Sequence, residues 1–279
     1  MERPGCDTIM IGQFHLLFIM LIVAILGGCA TFPPGSDYPR TASSTLAHPE
    51  ETRLGRQFVN AASAHDGNSG FRIIPVGADG FLTRMQMINA AERTLDLQYF
   101  IFRGDETGRQ LTGAVLHAAD RGLRVRVLVD DGETVAGDEQ IAMLEAHTSI
   151  EIRIINPFAY RGHSSLFRAT EFMFNTSRLD YRMHNKLLVV DNAIALVGGR
   201  NIGDQYFQID PDSQFADDDL FVAGPVAQQL SATFDEFWNN ALSIPVEALS
   251  GGKPSHADLR EHREELGEER LSFPKMRTA

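Results

Sequence analysis

His184 and Lys186 stand two residues apart, and Asp191, Gly198 and Asn201 follow in the pattern His-x-Lys-x4-Asp-x6-Gly-x2-Asn. These residue types suit displacement at a phosphodiester. A neutral imidazole can attack phosphorus and carry a covalent intermediate. Charge then concentrates on the non-bridging oxygens, where cations and polar donors are needed. On an extended segment, side chains two apart project to one face, which puts Lys186 beside His184. Asn201 follows Gly198, Gly199 and Arg200, so its amide can reach the same phosphate, and the glycines let backbone approach a substrate closely. Local charge agrees: residues 161–200 carry six bases (Arg161, Arg168, Arg178, Arg182, Lys186 and Arg200) and three acids, in a chain of net charge −12.

Elements that could position these residues are legible in the hydropathy pattern. Leu95, Leu97, Tyr99 and Ile101 alternate as a strand, and Leu111, Ala114, Val115 and Ala118 fall at helical spacing within 107–121. Leu123, Val125, Val127 and Val129 alternate again, with Arg124 and Arg126 on the other face, and a shorter strand covers 150–155. Asp191-Asn192 separates two apolar runs, 187–190 and 193–197, as in a hairpin. A strand is predicted over 219–223, and Gly224-Pro225 then opens a helix with proline at its first position. The core face expected for that helix is Val226, Leu230, Phe234 and Phe237. Strands alternating with helices predict an α/β domain, a mixed sheet flanked by helices, over residues 75–245. The remainder, 246–279, reads as a polar tail with a charge-dense helix at 258–269.

The 279 residues, 43% hydrophobic and 22% charged, have the composition of a globular chain long enough to bury a core. With 37 acids against 25 Lys and Arg, the chain lacks the basic footprint of a protein that coats duplex DNA, so nucleic acid is not the expected partner. Two cysteines cannot build a disulfide framework. Residues 16–26 form an uninterrupted apolar run, too short for the roughly 20 residues that span a bilayer and suited to a signal-peptide core. Gly27-Gly28-Cys29-Ala30 follows directly and resembles the bacterial lipoprotein signal. That resemblance implies a signal peptide over 1–28, acylation at Cys29, and a protein of the bacterial cell envelope tethered to membrane outside the cytoplasm. An uncleaved anchor is the alternative. Residues 29–55, rich in Pro, Ser, Thr and Ala, read as a flexible tether.

Other chemistries find less support. Asp130-Asp131-Gly132-Glu133 ends a strand but has no converging fourth ligand for a metal. Gly198 to Gly203 lacks the Lys-Ser/Thr of a P-loop, and no Gly-x-Ser-x-Gly suggests a serine hydrolase. His117 and His163 have no matching partners and read as surface residues.

The five-position pattern resembles the signature of the phospholipase D superfamily. Asn156-Pro157-Phe158, Arg182-Met183-His184-Asn185-Lys186 and Gly198-Gly199-Arg200-Asn201-Ile202-Gly203-Asp204 look like its cardiolipin-synthase-like branch, over about residues 75–245. The resemblance implies a phosphatidyltransferase acting on phospholipids through a phosphohistidine, with no metal or other cofactor. It implies that His184 attacks phosphorus, that Lys186 and Asn201 bind phosphate, and that Asp191 is more structural than catalytic. Gly198, Gly199 and Arg200 would line the substrate, and an acid among Asp217 to Asp219, with Asp219 preferred, would orient His184. Anionic phospholipids of the phosphatidylglycerol type would be the partners.

Members of that branch carry two such motifs, one histidine attacking and the other protonating the leaving alcohol. A single motif is found here, and three readings stay open. The chain is the N-terminal half of a two-motif lipid enzyme, or two copies pair as in single-motif nucleases, or the domain binds anionic phosphate headgroups without turnover.

Overall fold

The structure, a computed structural model, describes residues 32–132, 141, 143–160, 162, 164–210, 212–250 and 255–269. Cys29, the proposed signal peptide and His163 lie outside them. Eight strands form one mixed sheet in the order β1-β7-β6-β5-β2-β3-β4-β8. They are β1 (Gly70–Ile74), β2 (Thr94–Tyr99), β3 (Arg124–Asp130), β4 (Ile150–Ile155), β5 (Leu187–Val190), β6 (Ile194–Gly198), β7 (Asp219–Ala223) and β8 (Ser243–Pro245). β2, β3 and β4 run parallel, and every other pairing is antiparallel. The alternating runs of the sequence therefore become the centre of the sheet.

Helices cover both faces, which explains why the central strands are buried along almost their whole length. On one face lie α1 (Arg53–Ala64), α2 (Gly77–Ala90) and α3 (Glu106–Asp120). Leu111, Ala114, Val115 and Ala118 of α3 pack there with Leu95, Leu97, Val125, Val127 and Ile152 of the sheet. A short pair, α4 (Ser165–Phe174) and α5 (Thr176–Leu179), precedes β5, and α6 (Pro225–Trp238) covers the second face. α7 (Val246–Ser250) and α8 (His256–Glu269) complete the chain order.

α6 begins as the sequence suggests: Gly224 has φ +92, in the left-handed region that suits glycine, and Pro225 follows. Its buried residues are Ala227, Ser231, Phe234 and Trp238, one position round from the expected face, with Leu230 and Phe237 only partly buried. The cause is polar. Arg126 projects from β3 to this face, bonds both oxygens of Asp96 at 2.7 and 2.9 Å and pairs with Asp235 at 2.8 Å. Its guanidinium lies 4.7 Å from the Phe234 ring and 5.4 Å from that of Trp238, while Arg153 lies 4.4 Å from Trp238. The small Ala227 and Ser231 let the helix close over this layer.

Two further segments make long-range contacts. Residues 41–46, within the segment read as a tether, lie as a strap against arginines of the sheet. Arg153 donates to Thr41 O (2.9 Å), Arg126 to Ser43 O (3.0 Å) and Asn192 to Leu46 O (2.9 Å), while Thr45 N donates to Asp235 (2.7 Å). The strap satisfies arginines that the sheet leaves partly unpaired, a task invisible in its composition. In the tail, α8 buries Leu259 and His262 and joins Arg263 to Asp120 of α3 through two bonds of 2.8 and 2.9 Å. Among the described residues, no helix is long and apolar enough to cross a membrane.

Candidate active site

The motif gathers at one edge of the sheet. β2 and β3 end there, β5 begins there after Lys186, β6 ends there at Gly198, and β7 begins there at Asp219. Ligands of α/β sheets bind beyond the carboxyl ends of parallel strands, where backbone leaves the ladder and side chains converge.

Phe100, just past β2, lies against both His184 and Lys186. Its ring centroid lies 4.8 Å from that of His184 and 5.2 Å from Lys186 Nζ. His184 is exposed, whereas Lys186 is buried. The ammonium donates to His184 O at 2.7 Å, so the two residues are tied through backbone as well as through the ring. Burial lowers the Lys186 pKa from 10.5 to about 8, against the opposing pull of Asp217 and then Asp130. The cation thus sits where its charge is poorly solvated and strongly felt by an incoming anion.

The segment entering His184 is held by the end of β3. Asp130 accepts from Met183 N (2.9 Å), Arg182 Nη1 (3.2 Å) and Gly132 N (2.7 Å), and burial pushes its carboxyl above the usual range. Asp131 accepts from Phe158 N at 2.6 Å, and the Phe158 ring lies between Arg168 (4.2 Å) and Arg182 (4.7 Å). Both carboxylates thus bond to the segments on either side of the approach to the histidine.

The remaining motif residues are turned into the fold. Asp191 and Asn192 both have φ +52, the backbone of a type I′ hairpin turn. The Asp191 carboxylate accepts from the N–H groups of Glu92, Arg93 and Thr94 at 2.8–2.9 Å, pinning the start of β2 to the β5–β6 turn. Asn201 is buried: its Oδ1 accepts from Ile101 N (3.0 Å), and its Nδ2 donates to Tyr206 (2.9 Å), leaving one amide hydrogen. A Cβ on Gly198 would collide with Asp218 and Asp219, and one on Gly199 with Asp217. The acidic run packed on these glycines explains them.

Arg200 and Asp219 lie inside. Arg200 donates to Ile74 O (2.9 Å), Pro75 O (2.6 Å) and Asp219 (3.2 Å). Asp219 also receives two bonds from Arg84, at 2.7 and 3.1 Å, and Arg84 Nε donates to the Tyr99 hydroxyl at 3.2 Å. All four side chains are buried. Both oxygens of Asp219 are therefore occupied by arginines, and among the described residues none of its hydrogen bonds goes to His184. Of the run 217–219, the half-buried Asp217 is the acid whose field reaches Lys186.

The family described as "Cardiolipin synthase, PLD-like domain" matches residues 85–238, more than half of the chain. The chain belongs to this phospholipase D-like family. Cardiolipin synthase C of Escherichia coli (strain K12) is 40% identical over 197 residues, 71% of this chain and 41% of that protein. An uncharacterized protein of Helicobacter pylori (strain ATCC 700392 / 26695) is 30% identical over 259 residues, 93% of this chain and 50% of that one. The chain thus spans about half the length, or less, of these curated relatives. Among solved structures, Nuc of Salmonella typhimurium, described as a phospholipase D family member, superposes with a TM-score of 0.44 at 14% identity, over 64% of this chain and 97% of that chain.

In this phospholipase D-like chain, the places of Phe100 and Arg84 are not legible in the sequence, and Asp130 is legible there only as a weak metal ligand. Phe100 breaks the alternation of β2 and carries no polar atom to draw notice. Asp130 stood in a conspicuous acidic run, where its position at a strand end was the useful signal. Nothing local marks Arg84, because its partner Asp219 is 135 residues away in sequence.

Proposed function

We propose that this chain carries the nucleophilic half of a site that transfers phosphatidyl groups between phospholipids. The observation that carries the reading is the exposed imidazole of His184 beside the buried ammonium of Lys186, both against Phe100 at the carboxyl edge of the sheet. The neutral imidazole of His184 attacks the phosphorus of a phosphatidylglycerol-like lipid. An N–P bond forms, the P–O bond to glycerol breaks, and glycerol leaves after taking one proton. The hydroxyl of a second such lipid then attacks the phosphohistidine and loses its proton, and the N–P bond breaks to give a cardiolipin-like diester and free His184. Water as acceptor gives phosphatidic acid.

Lys186 offsets the charge on the non-bridging oxygens in both steps, and the free amide hydrogen of Asn201 can add a donor. Asp191 acts by holding β2 against the hairpin. Asp217, rather than Asp219, is the acid proposed to orient the imidazole, because Asp219 is committed to Arg84 and Arg200. The proton for glycerol comes from a second such half, in a longer chain or a second copy. Acylated Cys29 would hold the site at the membrane of the bacterial envelope, which intact-mass analysis of the N-terminal peptide would test.

Purified protein is mixed with phosphatidylglycerol micelles, and lipid products are read by mass spectrometry beside a His184→Ala control. Cardiolipin or phosphatidic acid from wild type alone supports the reading, and trapping of 32P on His184 identifies the intermediate. Headgroup binding without product from either protein would overturn transfer and leave a binding half-domain. Metal-independent cleavage of DNA by wild type would favour a paired nuclease.

A further inference from the structure

Fourteen large hydrophobic side chains are exposed among the described residues, and six of them fall between residues 166 and 181, on α4 and the turn after α5. Leu166 is 72% exposed, Phe167 61%, Met173 73%, Phe174 77% and Tyr181 79%. α4 has no buried residue at all. A ten-residue helix of this composition would not hold its shape in water on its own. It is held from beneath. Arg168 donates to Asp131 O (2.6 Å) and lies over Phe158 (4.2 Å). Glu171 accepts from the N–H groups of Ala159 (2.7 Å) and Tyr160 (2.9 Å) and lies 3.5 Å from Arg178, while Phe167 packs on Tyr160 at 5.1 Å. The polar residues of the helix thus fasten it to the domain with Phe167 resting on Tyr160, and most of the surface of Leu166, Phe167, Met173 and Phe174 stays exposed.

We infer that α4 and the turn at Tyr181 dock on a lipid surface, inserting Leu166, Phe167, Met173 and Phe174 among acyl chains. The inference rests on the proposed lipid substrate and names the surface that delivers it. Two observations choose lipid over another occupant. The patch is continuous with the candidate site: Tyr181, Arg182 and Met183 lead directly into His184, and Arg182 and Arg168 share the Phe158 ring at the entrance. Charge is the second. The chain has a net charge of −12, yet the one acid within α4, Glu171, is folded inward onto two backbone N–H groups and an arginine. The outward face of α4 therefore carries no negative charge towards an anionic headgroup layer, the exposed Asp180 lying at the patch's edge beside Tyr181, and the apolar side chains of α4 can enter the boundary beneath.

The test uses the full chain and a fluorescence reporter. Trp238 is the sole native tryptophan and is completely buried, so it supplies a constant background. Phe174→Trp reports on the patch, and Phe71→Trp, at an exposed position of β1 far along the sheet, is the control. Each is mixed with vesicles of phosphatidylglycerol and chain-brominated phosphatidylcholine. Loss of most of the added emission for Phe174→Trp, with none for Phe71→Trp, supports insertion. Unquenched Phe174→Trp emission on vesicle-bound protein overturns it, as does a concentration-dependent dimer without lipid that Phe174→Asp dissolves. In the double variant Met173→Asp/Phe174→Asp, KM for vesicular phosphatidylglycerol rises by roughly tenfold or more, while turnover of monomeric dihexanoyl phosphatidylglycerol is unchanged. Quenching without any product in wild type would keep the docking surface and refute the transfer chemistry. Product from vesicles without quenching would do the reverse.

Discussion

Replacing Lys186 by methionine removes a charge that the fold holds at a cost, and the cost can be read against pH. Lys186 is only 4% exposed, and burial lowers its pKa from 10.5 to about 8. At about 1.4 kcal/mol per pH unit, that interval sets an upper bound of about 3 kcal/mol on the penalty wherever the lysine is charged in both states, and solvent reaching the ammonium screens part of it. The hydrogen bond from Nζ to His184 O offsets about 1 kcal/mol more. Lys186→Met should therefore be more stable than wild type at pH 7 by up to about 2 kcal/mol. Above pH 8 the folded protein sheds this proton while the unfolded chain keeps it until about pH 10.5. The folded state then binds fewer protons, so wild type gains on the variant by up to about 1.4 kcal/mol per pH unit, and the gap closes by about pH 10. Urea denaturation of both proteins at intervals from pH 7 to 10.5 measures the difference directly, since their other titrations cancel. On the proposed mechanism the same variant should lose about a hundredfold or more in kcat/KM at pH 7, because its stability is gained by deleting the counter-charge proposed for the phosphate. A stability difference that stays flat from pH 7 to 10 would mean that Lys186 is solvated like any surface lysine, and would refute the electrostatic account of the site.

Three further outcomes follow from the geometry. Asp219→Asn leaves Arg84 and Arg200 buried without their anion and should cost about 3–5 kcal/mol by urea denaturation; a cost below about 1 kcal/mol would show the cluster to be dispensable. Asp191→Ala strands the N–H groups of Glu92, Arg93 and Thr94 and should cost about 3 kcal/mol or more, with KM of the remaining folded protein unchanged; a raised KM at full stability would place Asp191 at the substrate instead. Asp130→Ala frees Met183 N and Arg182 and should lower kcat by about a hundredfold through misplacement of His184, with KM little moved; equal loss in a variant whose His184 still labels with diethyl pyrocarbonate at the wild-type rate would refute the positioning role.

Much of this architecture was legible because it is written locally. The central strands and α3 announced themselves by period, and the Asp191-Asn192 turn and the Gly224-Pro225 helix start did so by backbone chemistry. What the sequence concealed depends on distant partners. The register of α6 was missed by one position because a buried Arg126 pairs with Asp96 and Asp235, and patterning by apolar residues has no term for a charged layer inside. The strap at residues 41–46 has a composition that suits a tether, yet its backbone groups bond to Arg126, Arg153 and Asp235 across 83, 112 and 190 residues. By position in the sequence Asp219 suits a role beside His184, whereas in the fold both its oxygens bond to Arg84 and Arg200. Motif spacing places a side chain at an edge and says nothing of which cation already waits there.

The structure also divides the labour within the motif. His184 and Lys186 alone present their functional groups around Phe100 at the sheet edge, with His184 open to solvent. Asp191 ties the β5–β6 turn to β2, Asn201 ties the chain after β6 to Ile101, and the glycines admit the acids that precede β7. The bonds of Asp191 and Asn201 hold the two ends of the segment that runs through β2 and Phe100 to Ile101, so they set where Phe100 and the pair beside it stand. The proposed phosphate chemistry needs such rigidity, because a cation and a nucleophile misplaced by about 1 Å forfeit most of the gain from proximity. The five-position pattern is long because most of it is scaffold, and substitution at its scaffold positions should therefore register first in stability and only through stability in turnover.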